Sequence, residues 1–370
     1  MRTSRPVPAL ALALVLLAAG AGGAVGAPAG APAGAPAGAT VGATVGAAAD
    51  GYAPLDRPGP ELTVPARRLA AALTCHGDLR ASGPEPVLLN PATGVTSVKN
   101  YSWNYERAFT RQHRPWCALT MPYRTLGDIQ TAGEYLVHAI RTMHARAGRR
   151  IAVMGHSQGG MSMRWALRFW PDTRRMVDDV IGMAGTNHGS TAVGNCLAGV
   201  TRCPPAVWQQ ASTSSFIEAL NSGTETFSGI SYTEIFTHTD EVVQPSDSAA
   251  TASSSLHTGA GRITNVATQD VCPTDVYEHL TVGTVDPTTY ALVMDALTHR
   301  GPARPARIDP SVCGQVYQPG VDPLTVAMYL EILGALPGLL AVDVPEANVV
   351  GAPEVEAEPE LRCYVYAAGC

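Results

Sequence analysis

The chain has 370 residues, 46% of them hydrophobic and 15% charged, with a net charge of −6. That balance excludes general disorder, and the scattered arginines form no basic block of the kind that binds nucleic acid. Eight cysteines in no x2-spaced metal pattern, behind an export signal, point to disulfides rather than a metal site.

Residues 1–27 read as a secretory signal peptide. Arg2 and Arg5 give a positive start, Ala9 to Ala19 is apolar, and Val25-Gly26-Ala27 offers a small-residue cleavage site. The apolar run is short for a membrane span, and no cysteine follows it for a lipid anchor. A secreted, extracellular protein with no stable membrane anchor is expected. Residues 28–51 are an Ala/Pro/Gly-rich tract with no large side chains to bury, read as a disordered linker. One catalytic domain is expected over 52–370.

Within it, Leu69 to Leu73 reads as a short helical turn leading to Cys75. Pro86 to Leu89 forms the first clear core strand and runs into the small-residue loop Asn90-Pro91-Ala92-Thr93-Gly94. A helix is predicted over Ser102 to Arg111, a strand over Trp116 to Thr120, and a longer helix over Ile129 to Ala147. Ile129, Ala132, Leu136, Ile140 and Met143 fall on one face of that helix.

The next stretch carries the chemistry. Ile151 to Met154 reads as a short buried strand, Gly155-His156-Ser157-Gln158-Gly159 as a tight turn, and a helix starts at once. A strand, a G-x-S-x-G turn and a helix make a nucleophile elbow, which lifts the serine hydroxyl above the sheet edge. The serine's backbone is strained there, and the glycines let strand and helix pass close to it. Unpaired N–H groups at the helix start, with the positive end of its dipole, favour an oxyanion. An idle serine in a glycine-rich turn is the bland alternative, and the flanking pattern argues against it.

Val177 to Ala184 is a further buried strand. Asn195 to Ser215, with its cysteines and Pro204-Pro205, reads as a loop excursion over the site. Strands follow at Tyr232 to Thr237 and Arg262 to Thr268, then helices at Asp286 to Leu297 and Pro323 to Val342. Strands alternating with helices imply a mainly parallel sheet with helices on both faces, in an α/β-hydrolase fold.

A serine hydroxyl is a weak nucleophile and needs a base, which in turn needs an acid to fix its tautomer. In α/β hydrolases the order is serine, acid, histidine, each at a strand end. Asp240, just past a strand, and His279, in a loop after the last strand, satisfy both requirements. Glu241 is one residue further along, so its side chain points elsewhere. Asp270 and Asp275 lie too near the histidine loop. His188 precedes the acid, His238 falls within a strand, His257 lies before a strand and His299 follows a helix. His156 reads as a supporting residue directed away from the nucleophile.

The elbow, Pro205-Ala206-Val207-Trp208-Gln209-Gln210 and Thr239-Asp240-Glu241-Val242-Val243-Gln244-Pro245 together resemble the family of Candida antarctica lipase B and its bacterial relatives. The resemblance runs from about Leu69 to Leu361, with the segments in the same order. It implies a secreted triacylglycerol lipase or esterase that needs no cofactor and no metal. Carried over by residue, it implies Ser157 as nucleophile, Asp240 as acid and His279 as base. The oxyanion donors would be Thr93, by backbone and hydroxyl, and Gln158, by its backbone N–H. Where the yeast member has threonine and tryptophan at the elbow, this chain has Gly155 and His156, so stereopreference does not transfer.

Kinship further implies the disulfides Cys75–Cys117 and Cys272–Cys313, leaving Cys196–Cys203 and Cys363–Cys370 as local pairs. The apolar helix after Pro323 would lie beside the pocket mouth, with Leu339, Leu340 and Val342 as bulk favouring short or medium acyl chains. The expected partner is an ester or lipid at an oil–water interface, bound by a monomer. A polyester hydrolase or an exported acyltransferase would use the same machinery. A non-catalytic extracellular binding protein on this fold is the alternative from another class.

Overall fold

The computed structural model describes residues 51–80, 82–193, 196–324, 326 and 352–369. The expected signal peptide, almost all of the linker tract, and Leu339, Leu340 and Val342 lie outside the described residues, as does Cys370, the partner expected for Cys363.

Helix α1 (Ala66–Ala71) leads into strand β1 (Leu73–His76), where the sequence suggested only a helical turn. β1 is half exposed, an edge strand whose formation depends on a partner far along the chain. Strand β2 (Val87–Asn90) is buried throughout, as its unbroken apolar run requires. The helix expected over 102–111 is the shorter α3 (Tyr105–Arg111), and a separate helix, α2 (Ser97–Tyr101), precedes it where none was expected. Capping chemistry separates the two: the Thr96 side chain accepts from Lys99 N, and the Asn104 side chain accepts from Tyr105 N.

Strand β3 (Trp116–Leu119) and helix α4 (Ile129–Ala147) match expectation. Asp128 caps the start of α4, and Gly148, at φ 67°, ends it in a left-handed conformation that suits glycine. Strand β4 (Ile151–His156) passes through Ser157 into helix α5 (Gln158–Phe169), followed by strand β5 (Val177–Met183). The excursion after residue 195 is not all loop. It contains helix α6 (Pro205–Gln209) and leads to helix α7 (Ser215–Asn221). Pro205 is compatible with α6 because proline at a first helical position gives up an N–H that would have no helical partner anyway. Strands β6 (Ser231–Phe236) and β7 (Arg262–Ala267), then helices α8 (His279–Val282) and α9 (Pro287–Thr298), follow, with short 3-10 turns between and after them.

The sheet has seven strands in the order β1-β3-β2-β4-β5-β6-β7, all paired in parallel except β1 with β3. Alternate side chains of β2 serve two cores. Leu88 packs with α4 and α5 residues such as Leu136 and Met161, while Val87 and Leu89 face Tyr101, Tyr105 and Leu292. From β2 the chain steps outward to β3, then returns to place β4 on the other side of β2. Such a reversal opens a crevice at the carboxyl ends of the flanking strands, the usual place for a ligand in an open parallel sheet.

Three disulfides stand where they were expected. Cys75 and Cys117 are directly paired across β1 and β3, with Cα atoms 4.0 Å apart. Cys196–Cys203 and Cys272–Cys313 span 6.1 and 5.3 Å between Cα atoms. No helix among the described residues is long and apolar enough to cross a membrane.

Candidate active site

Ser157 sits in the crevice between the ends of β2 and β4, at φ 55° and ψ −127°. A non-glycine residue at such angles is strained by roughly 1–3 kcal/mol and needs its surroundings to hold it there. One restraint is the bond from Ser157 N to Met183 O, 2.8 Å, which ties the turn to β5. The neighbouring glycines are required by space. A Cβ on Gly155 would lie 2.3 Å from Gly159 backbone atoms, and one on Gly159 would lie 2.3 Å from Asn90 O. Gly159→Ala is therefore expected to destabilise by about 1–3 kcal/mol through overpacking, read as a lowered midpoint of denaturant unfolding.

Ser157 Oγ lies 3.0 Å from His279 Nε2, and His279 Nδ1 lies 2.9 Å from Asp240 Oδ2. All three residues are buried. Asp240 projects from the turn after β6, where its Oδ1 accepts from Val242 N at 2.9 Å and Val243 N at 2.7 Å. These bonds orient the carboxylate and leave Oδ2 for the imidazole. His279 is the first residue of α8 rather than part of a loop. Burial pulls the His279 pKa down, but the charge and hydrogen bond of Asp240 outweigh it, and the net shift is upward. Glu241, set aside above, accepts from the His279 backbone N–H through Oε2 at 3.3 Å.

Thr93 and Gln158 face each other across the crevice. Thr93 Oγ1 donates to Gln158 Oε1 at 2.8 Å and accepts from Gln210 Nε2 at 3.1 Å. The Gln158 backbone N–H opens α5, where the first N–H groups have no acceptor within the helix. Thr125 grips the Thr93 loop from both sides: its Oγ1 donates to Ala92 O at 2.7 Å and accepts from Gly94 N at 3.0 Å. Its carbonyl also accepts from Gln158 Nε2 at 3.1 Å. Thr125 closes a run of three residues with positive φ, Tyr123 at 53°, Arg124 at 51° and Thr125 at 65°. Strain concentrated beside the Thr93 loop is the kind found where position matters more than local comfort.

Beside Ser157 and His279 lies a small cavity, with Ala92, Val193, Val242 and Leu280 among its apolar walls and Thr186 and Gln210 among its polar ones. Sequence reasoning overlooked Thr125, Thr186 and Asn100. Gln210 stood inside a quoted segment with no role attached. Among the described residues one carboxylate cluster, Glu85, Asp178 and Asp179, brings possible metal-ligand atoms within 4.8 Å of one another. It lies by the amino ends of β2 and β5, at the opposite edge of the sheet from Ser157, and Arg150 pairs with Asp178 at 3.1 Å.

A mainly parallel sheet, a nucleophile elbow at its switch point and a serine–histidine–aspartate hydrogen-bond chain define an α/β hydrolase. No family model matches the chain. Lipase B of Pseudozyma antarctica is 31% identical over 310 residues, covering 82% of this chain and 86% of that protein. The crystal structure of Aspergillus fumigatus lipase B aligns with a TM-score of 0.74 at 30% identity, covering 84% of this chain and 74% of that one. The chain belongs to the lipase B family.

Proposed function

We propose that the protein is a secreted serine hydrolase of carboxylic esters, a triacylglycerol lipase or carboxylesterase that works through an acyl-enzyme. The observation that carries this reading is the chain Ser157 Oγ–His279 Nε2 and His279 Nδ1–Asp240 Oδ2, at 3.0 and 2.9 Å, opening on an apolar cavity. Ser157 Oγ attacks the ester carbonyl carbon as His279 Nε2 takes its proton. The carbonyl oxygen becomes an oxyanion facing the Gln158 N–H, the Thr93 N–H and the Thr93 hydroxyl. The C–O bond breaks, and the alcohol leaves with the proton from His279. Water then attacks the acyl-enzyme, gives its proton to His279, and the acid departs as Ser157 recovers it.

Export is supported by the sequence of residues 1–27 and by the disulfides, which persist in oxidising compartments. In this reading residues 28–51 link the leader to a monomeric catalytic domain over 52–370. A fluorophosphonate probe should label the purified protein once, on the peptide containing Ser157, and block hydrolysis of tributyrin and soluble esters together. A protein that hydrolyses esters but takes no label on Ser157 would overturn the reading.

Thr93→Val removes one oxyanion donor and keeps the backbone N–H. The expected result is a loss in kcat on the order of 10²–10³ with KM little changed, measured on a soluble p-nitrophenyl ester.

The excursion containing α6 is tied down twice. Besides the Cys196–Cys203 bond, Cys203 N donates to Val355 O at 3.0 Å and Val355 N donates to Cys203 O at 2.9 Å. A loop fastened in this way is a poor lid. The rate on tributyrin should therefore rise smoothly through its solubility limit, whereas Cys196→Ser with Cys203→Ser should introduce a jump there.

A further inference from the structure

His156 precedes the nucleophile, yet its ring is wholly buried and turned toward the base. It packs against the His279 ring at 5.2 Å between centroids, and its Nε2 lies 2.8 Å from the His279 carbonyl oxygen. Its Nδ1 lies 3.5 Å from Asn100 Nδ2. Gly283 makes room for it, since a Cβ there would stand 2.3 Å from the His156 ring.

The proton positions follow from the far end of this contact chain. Asn100 Oδ1 accepts from the Ala92 backbone N–H at 2.8 Å, and only the amide oxygen can do so. The Asn100 NH2 therefore faces His156, whose Nδ1 must accept. The imidazole proton is then on Nε2, where it donates to the His279 carbonyl. Burial, followed by the neighbouring His279, pulls the His156 pKa down to about 3, so the ring remains neutral at any working pH.

We propose that Ala92, Asn100, His156 and His279 form a buried polar relay in which His156, at the wall of the cavity beside Ser157, is a positioning residue joining the Thr93 loop to the backbone of the base. The inference rests on the catalytic reading above and adds a role that reading does not need. Glu241 already holds the His279 backbone N–H, and the relay holds its carbonyl. Both backbone polar groups of His279 are thereby held. Asp240 then has only the ring rotation left to set. The other end of the relay enters at Ala92, one residue before the oxyanion donor. Base and oxyanion loop thus share one support, and a shift in either is felt by the other.

His156→Leu keeps comparable bulk and removes both hydrogen bonds. The expected loss is about 10- to 100-fold in kcat on a soluble ester, with KM little changed and fluorophosphonate labelling slowed in parallel. His156→Gln offers an amide oxygen toward Asn100 and an amide NH2 toward His279, so it should recover most of that loss. Asn100→Asp keeps an acceptor for Ala92 but presents one to Nδ1 as well, drawing the proton away from Nε2. It should resemble His156→Leu, and the two changes together should cost no more than one.

Wild-type kcat in His156→Leu, no recovery in His156→Gln, or multiplying losses in the double variant would each overturn the relay. Should His156→Leu fail to fold, His156→Gln against Asn100→Asp decides the matter. Absence of labelling in the wild-type protein would instead remove the catalytic reading, and the relay's role with it. Equal labelling in wild type and His156→Leu removes only the relay.

Discussion

Ser157→Ala is expected to lower kcat by on the order of 10⁶ while leaving the fold intact. Both halves of that expectation come from the geometry of one residue. The hydroxyl's hydrogen bond is the 3.0 Å contact to His279 Nε2, and the serine side chain makes no capping bond to α5. Deleting Oγ therefore leaves no buried donor of the helix without its partner. Alanine also keeps the Cβ, so the strain at φ 55° neither grows nor vanishes. The backbone bond from residue 157 to Met183 O survives as well. Thermal unfolding should thus be unchanged within error while turnover disappears. Turnover should be followed on a soluble p-nitrophenyl ester, with labelling stoichiometry used to exclude contaminating enzyme. Activity persisting well above trace level in pure Ser157→Ala would mean that another group carries the attack.

Much of the frame that holds this serine is legible in the sequence. β2 and β4 are covered on both faces, so they must be written as nearly unbroken apolar runs ending in small-residue loops. α4 is largely buried, and the spacing of its apolar residues at a period near 3.6 marks it as a helix. Ser157, Asp240 and His279 all follow strand ends, and an ordered parallel sheet turns sequence order into position along one edge.

What the chain hides are effects that depend on distant partners. Leu73–His76 looks like any half-polar tetrapeptide until β3 arrives to pair with it. The division between α2 and α3 turns on Thr96 and Asn104 capping nearby N–H groups, and helix periodicity does not register that competition. Asn100, Thr125 and Gln210 act through bonds to His156, Ala92 and Thr93, each from a different segment. Nothing in their local sequence distinguishes them from ordinary surface polar residues.

Asp240→Asn should be the second most damaging change, with kcat falling by on the order of 10⁴ and the acid limb of activity moving to lower pH. Asp240 uses Oδ1 for the Val242 and Val243 N–H groups and Oδ2 for His279 Nδ1. In the variant the amide oxygen stays with the two backbone donors, so the NH2 group turns toward Nδ1. A donor there forces the imidazole to carry its proton on Nε2, the nitrogen that must accept from Ser157. The base is then present but in the wrong tautomer. In the wild-type protein the His279 pKa is raised above the ordinary imidazole range, burial opposing and Asp240 prevailing. Protonated His279 is no base, so wild-type activity is lost as pH falls through that raised value. Without that carboxylate the lowering effect of burial is opposed only by the charges of Glu241 and Glu278, and the limb should move to lower pH even as the plateau collapses. A kcat/KM profile from acid to mildly alkaline pH, with fold checked by thermal melting, tests both shifts at once. A limb that stays in place would show that Asp240 orients the ring without setting its charge, and an intact plateau would remove it from the triad altogether.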